Sequence, residues 1–210
     1  MPGATQSTMQ RLFYLLAFSL LLSACTESAS RLPLLDSNST ILAFGDSLTR
    51  GIGAAEEQSY PAVLSRLTGR TVVNAGISGE VSAQGLQRLP ALLDRLRPVV
   101  LLLCHGGNDM LRRFSSVITR NIIVAMISLG AERGIPVLLI GVPKPGLMFL
   151  KPATFYAEIA EQYDLVYEGE IIAEVESDNS LKSDQIHPNA DGYTHIATAL
   201  YHLLQQSGAL

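Results

Sequence analysis

The sequence predicts an α/β protein, a three-layer fold with a doubly wound parallel sheet of about five strands, and three observations predict it. Short apolar runs alternate along the chain with segments of helical period. The run Val99–Leu103 has no polar alternation, as a strand covered on both faces requires. Hydrophobic residues make up 48% of the 210 residues and charged ones only 16%, enough apolar material for one domain with a sheet buried on both sides. Strands alternating with helices imply right-handed crossovers. In such a sheet a ligand binds beyond the carboxyl ends of the strands.

The domain is expected over residues 41–210. Ile41–Phe44 is apolar, rich in strand formers, and runs into the turn Gly45-Asp46-Ser47. Gln58–Leu67 carries Tyr60, Val63, Leu64 and Leu67 at helical spacing, with Pro61 tolerable in the first turn. Thr71–Val73 reads as a short strand entering Asn74-Ala75-Gly76-Ile77-Ser78-Gly79. From Ser82 a helix runs through Leu86, Leu89, Leu93 and Leu96, with a kink expected at Pro90 and a stop before Pro98. Val99–Leu103 is the central strand and opens into His105-Gly106-Gly107-Asn108-Asp109. A long helix is expected over Ser115–Arg133, with a left-handed cap at Gly134. The strand Pro136–Val142, an apolar loop Pro143–Leu150, the helix Ala153–Gln162, the strand Asp164–Tyr167 and a final helix Asp191–Leu204 complete the order.

The first 40 residues read differently. Arg11 is the only charge before Glu27, and the apolar run Leu12–Leu22 is shorter than the roughly 20 residues that span a bilayer. Residues 1–24 are read as an export signal, with translation starting at Met1 or Met9. Leu22-Ser23-Ala24-Cys25 resembles the lipobox of bacterial lipoproteins, in which the cysteine is lipidated; the alternative is an ordinary cleaved signal in which Cys25 is incidental. Thr26 resembles residues that follow the cysteine in lipoproteins sent on to the outer membrane, which implies a cell-envelope protein facing the periplasm. Residues 25–40, rich in Ser, Asn and Thr, are expected to be a tether holding the domain roughly 20 Å from the bilayer. Cys104 then has no disulfide partner and is expected as a buried small hydrophobe.

A formal charge of -4 and a pI near 5.5 give no electrostatic reason for a nucleic-acid partner. No histidine or cysteine stands at a metal-ligand spacing, so neither a metal nor another cofactor is expected.

Ser47 is the candidate nucleophile. A Gly-Asp-Ser turn alone is equally well a polar turn, and a serine hydroxyl attacks poorly without a base. Asp184 and His187 stand three apart beside Pro188, a spacing that lets the carboxylate accept the Nδ1 proton and leaves Nε2 free to take the proton of Ser47. The backbone N–H groups of Ser47 and Gly79 and the Asn108 amide are the candidate oxyanion hole. One such donor is typically worth about 3 to 4 kcal/mol. Ser47, Gly79 and Asn108 each follow a predicted strand, so they are expected at one edge. Asp46 and Asp109 are expected to hold their own turns through nearby backbone N–H groups. His105, at the cleft edge, and His195 and His202, on the last helix, are expected to be structural or solvated, since none has a carboxylate at suggestive spacing.

With those residues in hand, the chain resembles the SGNH or GDSL family of serine hydrolases across the whole domain. Gly45-Asp46-Ser47-Leu48 is similar to its first block, Gly79 within Asn74 to Glu80 to its second, Gly106-Gly107-Asn108-Asp109 to its third and Asp184 to His187 to its last. The resemblance implies a flavodoxin-like sheet, a catalytic set of Ser47, Asp184 and His187, and oxyanion donors at Ser47, Gly79 and Asn108. Asn74–Pro98 and Gly106–Arg113 look most like the periplasmic thioesterase, lysophospholipase and arylesterase branch. Glu80 departs from that branch, which usually has Asp there, and the change bears on how the loop is held.

The implied substrate is a small acyl ester, thioester or lysophospholipid. Ile77, Leu147, Met148, Phe149 and Leu150 are candidate lining for an acyl chain, the alternative being that this loop packs on the core. A carbohydrate O-acetylesterase of the same fold and a non-catalytic binding lipoprotein are the other readings. The lipidated N-terminus would make the membrane a partner; the sequence does not fix an oligomeric state.

Overall fold

The computed structural model describes residues 31–144 and 151–210. Five parallel strands form one sheet: β1 (Thr40–Gly45), β2 (Thr71–Gly76), β3 (Val100–Cys104), β4 (Val137–Ile140) and β5 (Val166–Glu168), in the order β2-β1-β3-β4-β5. Every residue of β3 and β4 is buried, whereas the edge strands β2 and β5 are mostly half-buried. Central strands are covered on both faces, and this is why they read as unbroken apolar runs.

The helices are α1 (Ser47–Arg50), α2 (Tyr60–Thr68), α3 (Ser82–Leu96), α4 (Gly107–Leu111), α5 (Ser116–Ala131), α6 (Thr154–Gln162), α7 (Ile171–Ser177) and α8 (Ala190–Gln206). α3, α5 and α6 cover one face of the sheet; α2, α7 and α8 cover the other. The expected doubly wound α/β architecture is therefore the one the chain adopts. Gly45 lies opposite both Gly76 and Cys104 in the ladders, so β1, β2 and β3 end level with one another. The strand order reverses between β1 and β3, which opens a crevice at that edge.

One expectation is corrected, and three short elements lay beyond the sequence reading. The tether does not extend to residue 40: Leu32 and Leu35 are buried, their N–H groups donate to the Ser207 and Ala209 carbonyls, and Arg70 donates twice to the Leu35 carbonyl. The apolar Leu32-Pro33-Leu34-Leu35 inside a polar stretch is the reason, since burying its leucines against the C-terminus outweighs the cost of ordering the backbone. The helix expected from Ser82 runs over Ser82–Leu96 with Pro90 inside it, where the ring removes one backbone donor. Three short helices, α1, α4 and α7, were not expected at all. Arg97 closes α3 in the left-handed region ahead of Pro98, and Gly134 takes the left-handed conformation expected of it.

Candidate active site

The end of β1 is built to present one hydroxyl. A Cβ on Gly45 would run into the Cys104 carbonyl and the Thr49 side chain, so only glycine lets the chain turn this tightly out of the sheet. Asp46 caps α1, its carboxylate accepting from the Leu48 N–H at 3.2 Å. Ser47 follows at the start of α1, about nine-tenths buried, and it lines a cavity of about 490 Å³.

His187 reaches that hydroxyl from the far end of the sequence. Its loop is folded by Asp184, whose Oδ1 accepts from the backbone N–H groups of Ile186 and His187 at 2.9 and 2.8 Å. Oδ2 of the same carboxylate lies 2.7 Å from His187 Nδ1. The hydrogen bond from His187, reinforced by those backbone donors, holds the Asp184 carboxyl down at about 2. An ionised carboxylate can only accept, so Nδ1 carries the ring proton. Nε2 is then an acceptor, and Ser47 Oγ lies 3.1 Å from it.

Asn108 sits on α4, just beyond β3. Its Nδ2 donates to Asp46 Oδ2 at 3.2 Å, which fixes the amide plane and leaves the second N–H for the cavity that Asn108 lines. Burial pushes the Asp46 carboxyl up, countered by His105, the Leu48 N–H and Asn108. Gly79, on the turn after β2, has φ 76°, and its carbonyl accepts from Arg112 at 3.0 Å. Gly79 and Ile77 are not among the described residues that line the cavity; Ile77 is instead on the surface. Leu147, Met148, Phe149 and Leu150 lie outside the described residues. The apolar walls are supplied by Leu48, Leu111, Val142, Pro143 and Ile186.

Asp46 holds its own turn, as expected. Asp109 does something else: its carboxylate accepts from the N–H and hydroxyl of Ser82 at 2.8 and 2.6 Å, tying α4 to the start of α3. His105 is structural, as expected, although it is buried rather than at the cleft edge and its carboxylate partner comes from a distant part of the sequence. It is fully buried, with Glu80 Oε2 3.1 Å from Nε2, while Nδ1 accepts from the Gly106 N–H at 3.0 Å. Gly85 makes this possible, because a Cβ there would meet the imidazole. Arg88 donates to both Glu80 oxygens at 2.7 Å, to the Ala75 carbonyl at 2.8 Å and to the Gly45 carbonyl at 3.3 Å, and it lies over the Phe44 ring. Despite burial, the hydrogen bonds from His105 and Arg88 take the Glu80 carboxyl down to about 2. This network ties together the ends of β1, β2 and β3, next to the turn that carries Ser47.

Sequence reading missed Arg88 and Glu176. Arg88 falls on the same helix face as Leu89 and Gly85, a signal only in the light of the Glu80 departure. Glu176 stands four residues after Ile172 on a helix that was not foreseen, and that spacing places it on the buried face. Cys104 is buried, as expected, and burial pushes its thiol up.

Comparison with known proteins gives a consistent picture. The model of the GDSL-like lipase/acylhydrolase family matches residues 43–195. The thioesterase 1/protease 1/lysophospholipase L1 of Escherichia coli is 33% identical over 173 residues, covering 79% of this chain and 83% of that protein. An arylesterase of Vibrio mimicus is 35% identical over 132 residues, 60% of this chain and 64% of that protein. The crystal structure of the psychrotrophic esterase EstA from Pseudoalteromonas sp. superposes with a TM-score of 0.71 over 80% of this chain and 98% of that one, at 24% identity, and so attests the fold alone.

Proposed function

The chain belongs to the GDSL-like lipase/acylhydrolase family and is a hydrolase acting on ester bonds, and on that premise we propose that the reaction runs through Ser47, His187 and Asp184. The observation that carries this reading is the continuous hydrogen-bonded run from Asp184 through His187 to Ser47 at the wall of one cavity.

In the first half-reaction His187 Nε2 takes the Ser47 proton as Oγ attacks the ester or thioester carbonyl carbon. The carbonyl oxygen becomes an oxyanion, which the backbone N–H groups of Ser47 and Gly79 and the free N–H of Asn108 stabilise. The tetrahedral intermediate then collapses, its C–O or C–S bond breaks, and the imidazolium protonates the departing alcohol or thiol. In the second half-reaction a water gives its proton to His187 and attacks the acyl-enzyme. The carboxylic acid leaves, and the proton returns to Ser47.

The walls contributed by Leu48, Leu111, Val142, Pro143 and Ile186 suit a short to medium acyl or aryl group. The substrates are accordingly carboxylic esters, thioesters or lysophospholipids of that size, in keeping with what the names of the Escherichia coli and Vibrio relatives state for those proteins. We also propose that Cys25 is lipidated and, with residues 1–24 removed, becomes the first residue of the mature protein, which anchors the enzyme at the cell envelope, on the outer membrane facing the periplasm. Incorporation of labelled palmitate that survives Cys25→Ser would refute the anchor.

A fluorophosphonate probe tests the catalytic reading in one step, because only an activated serine reacts rapidly. Wild-type protein is expected to label and to hydrolyse p-nitrophenyl butyrate, and Ser47→Ala to do neither. Labelling retained in the folded Ser47→Ala variant would overturn the assignment.

A further inference from the structure

The cavity beside Ser47 contains a carboxyl that the reaction above does not use. Glu176, on α7, is about nine-tenths buried and lines the cavity together with Lys182, Gln185 and His187. Its neighbours on the buried face of α7 are Ile172, Ala173 and Val175, so the helix presents an apolar face broken by one acid. No hydrogen bond from a described residue holds the Glu176 carboxyl, and since no fully buried side-chain oxygen among the described residues is unpartnered, its oxygens open onto the cavity. An acid so largely buried with no protein donor is costly to a fold, and a short helix has no structural need of one. Apolar side chains of the same length would fill the site better.

The charged and titratable groups around it limit what such an acid can hold. Burial pushes the Glu176 carboxyl up to about 8, Lys182 works against this, and Asp46 adds to it. Cys104 and Tyr193 are the other titratable groups in its field, both pushed up by burial and so neutral at pH 7. His187 lines the same cavity. At neutral pH Glu176 therefore carries its proton and offers one O–H donor and one acceptor. A cationic substrate group would be repelled by Lys182, and an anionic one would face the Asp46 carboxylate and a Glu176 poised to ionise. An uncharged hydroxyl suits both protonation states, accepting from the acid or donating to the carboxylate.

We propose that Glu176 is the specificity-determining residue of the cleft, hydrogen-bonding a hydroxyl on the substrate, so that the site is built for hydroxyl-bearing esters rather than for plain alkyl ones. The proposal rests on the reading of the cavity as the site of ester hydrolysis and adds the substrate class to it. Sites that hydrogen-bond a substrate hydroxyl discriminate strongly against the analogue without it, because a buried polar group is then left unpaired.

The test uses two matched pairs at pH 7, with kcat/KM measured for wild type, Glu176→Leu and Glu176→Gln. p-Nitrophenyl hexanoate and its 3-hydroxy analogue place the hydroxyl on the acyl side; propyl hexanoate and glyceryl 1-monohexanoate place it on the alcohol side. In one pair the wild type is expected to favour the hydroxylated ester by at least tenfold more than Glu176→Leu does, with Glu176→Leu faster on the plain member. Glu176→Gln, which keeps a donor and an acceptor, is expected to retain the preference within about threefold. Hydroxyl preferences in Glu176→Leu equal to wild type in both pairs would overturn the proposal. Fluorophosphonate labelling of each variant separates the two claims. Normal labelling with unchanged preference sinks the role of Glu176 alone, whereas failure of the wild type itself to label sinks the hydrolytic reading beneath it.

Discussion

The molecule contains two carboxylate–histidine pairs, and they differ in what the second ring nitrogen faces. In Asp184–His187 the carboxylate is half exposed, and Nε2 meets a hydroxyl at a cavity. In Glu80–His105 both residues are buried, and the other nitrogen is occupied by the Gly106 N–H. The pair distances are similar, 2.7 and 3.1 Å. Similar pairing thus gives opposite capacities. A histidine can carry a proton only if one nitrogen faces a group that exchanges it, and His105 has no such face. It can only hold, and what it holds, together with Arg88, is the set of strand ends from which Ser47 and Asn108 project.

Breaking the open pair gives the largest expected effect. His187→Ala is expected to lower kcat by about 10⁴ or more, and Asp184→Asn by about 10³ to 10⁴, because the amide leaves the ring in the wrong tautomer. Neither change should move the melting temperature much, since Asp184 is half exposed and its loop keeps its backbone hydrogen bonds in part. The pH profile sharpens the same point. Asp184, held at about 2, stays ionised throughout the working range, so its own protonation does not shape kcat/KM there. A profile flat between pH 5 and 8 would remove His187 from the role of base.

Breaking the sealed pair is expected to do the reverse. Glu80→Gln leaves the Arg88 guanidinium without its bidentate partner under the sheet edge, at an expected cost of about 2 to 4 kcal/mol in stability. The loss in kcat should stay within about tenfold at temperatures where the variant is folded. The sign in pH follows from the depressed carboxyl. Its contribution is complete above about 4.5, the ordinary value, and is lost as pH falls from there toward the folded value of about 2. Wild-type melting temperature should therefore drop over that window more steeply than that of Glu80→Gln. Thermal unfolding of the two proteins between pH 5 and 2.5 checks this. Equal slopes would mean that the pair is not held ionised.

The two pairs were unequally legible, for a physical reason. Asp184 and His187 are three residues apart, so one turn brings them together and sequence spacing signals it. Glu80 and His105 are 25 apart, joined only because β2 and β3 end level across β1. Strand and helix order was readable for the same local reason: buried central strands such as Leu101–Leu103 cannot alternate, and helices such as Ser82–Leu96 repeat at their own period. The short helices α1, α4 and α7 are each at most two turns long, too short for periodicity to register. Leu32 and Leu35 were hidden in a polar composition, and only their docking against Ser207 and Ala209 reveals them as part of the domain.

Glu176 extends the comparison to a carboxyl with no histidine. The two paired carboxyls are drawn down to about 2, and this one is pushed up to about 8. An acid raised in the folded state stabilises least where it must ionise. Its penalty is absent below about 4.5, grows as pH rises from there, and is complete above about 8. Water entering the cavity relaxes part of that penalty, so the expected loss is about 1 to 2 kcal/mol between pH 5 and 9. Glu176→Gln has no proton to lose and should show a correspondingly flatter stability profile over the same range, crossing the wild-type curve only if the amide packs worse than the neutral acid. Chemical denaturation of both proteins at pH 5, 7 and 9 measures the difference directly. If the two profiles run parallel, Glu176 is already ionised at neutral pH, and the cleft presents a fixed negative charge to its substrate instead of a hydrogen-bonding acid.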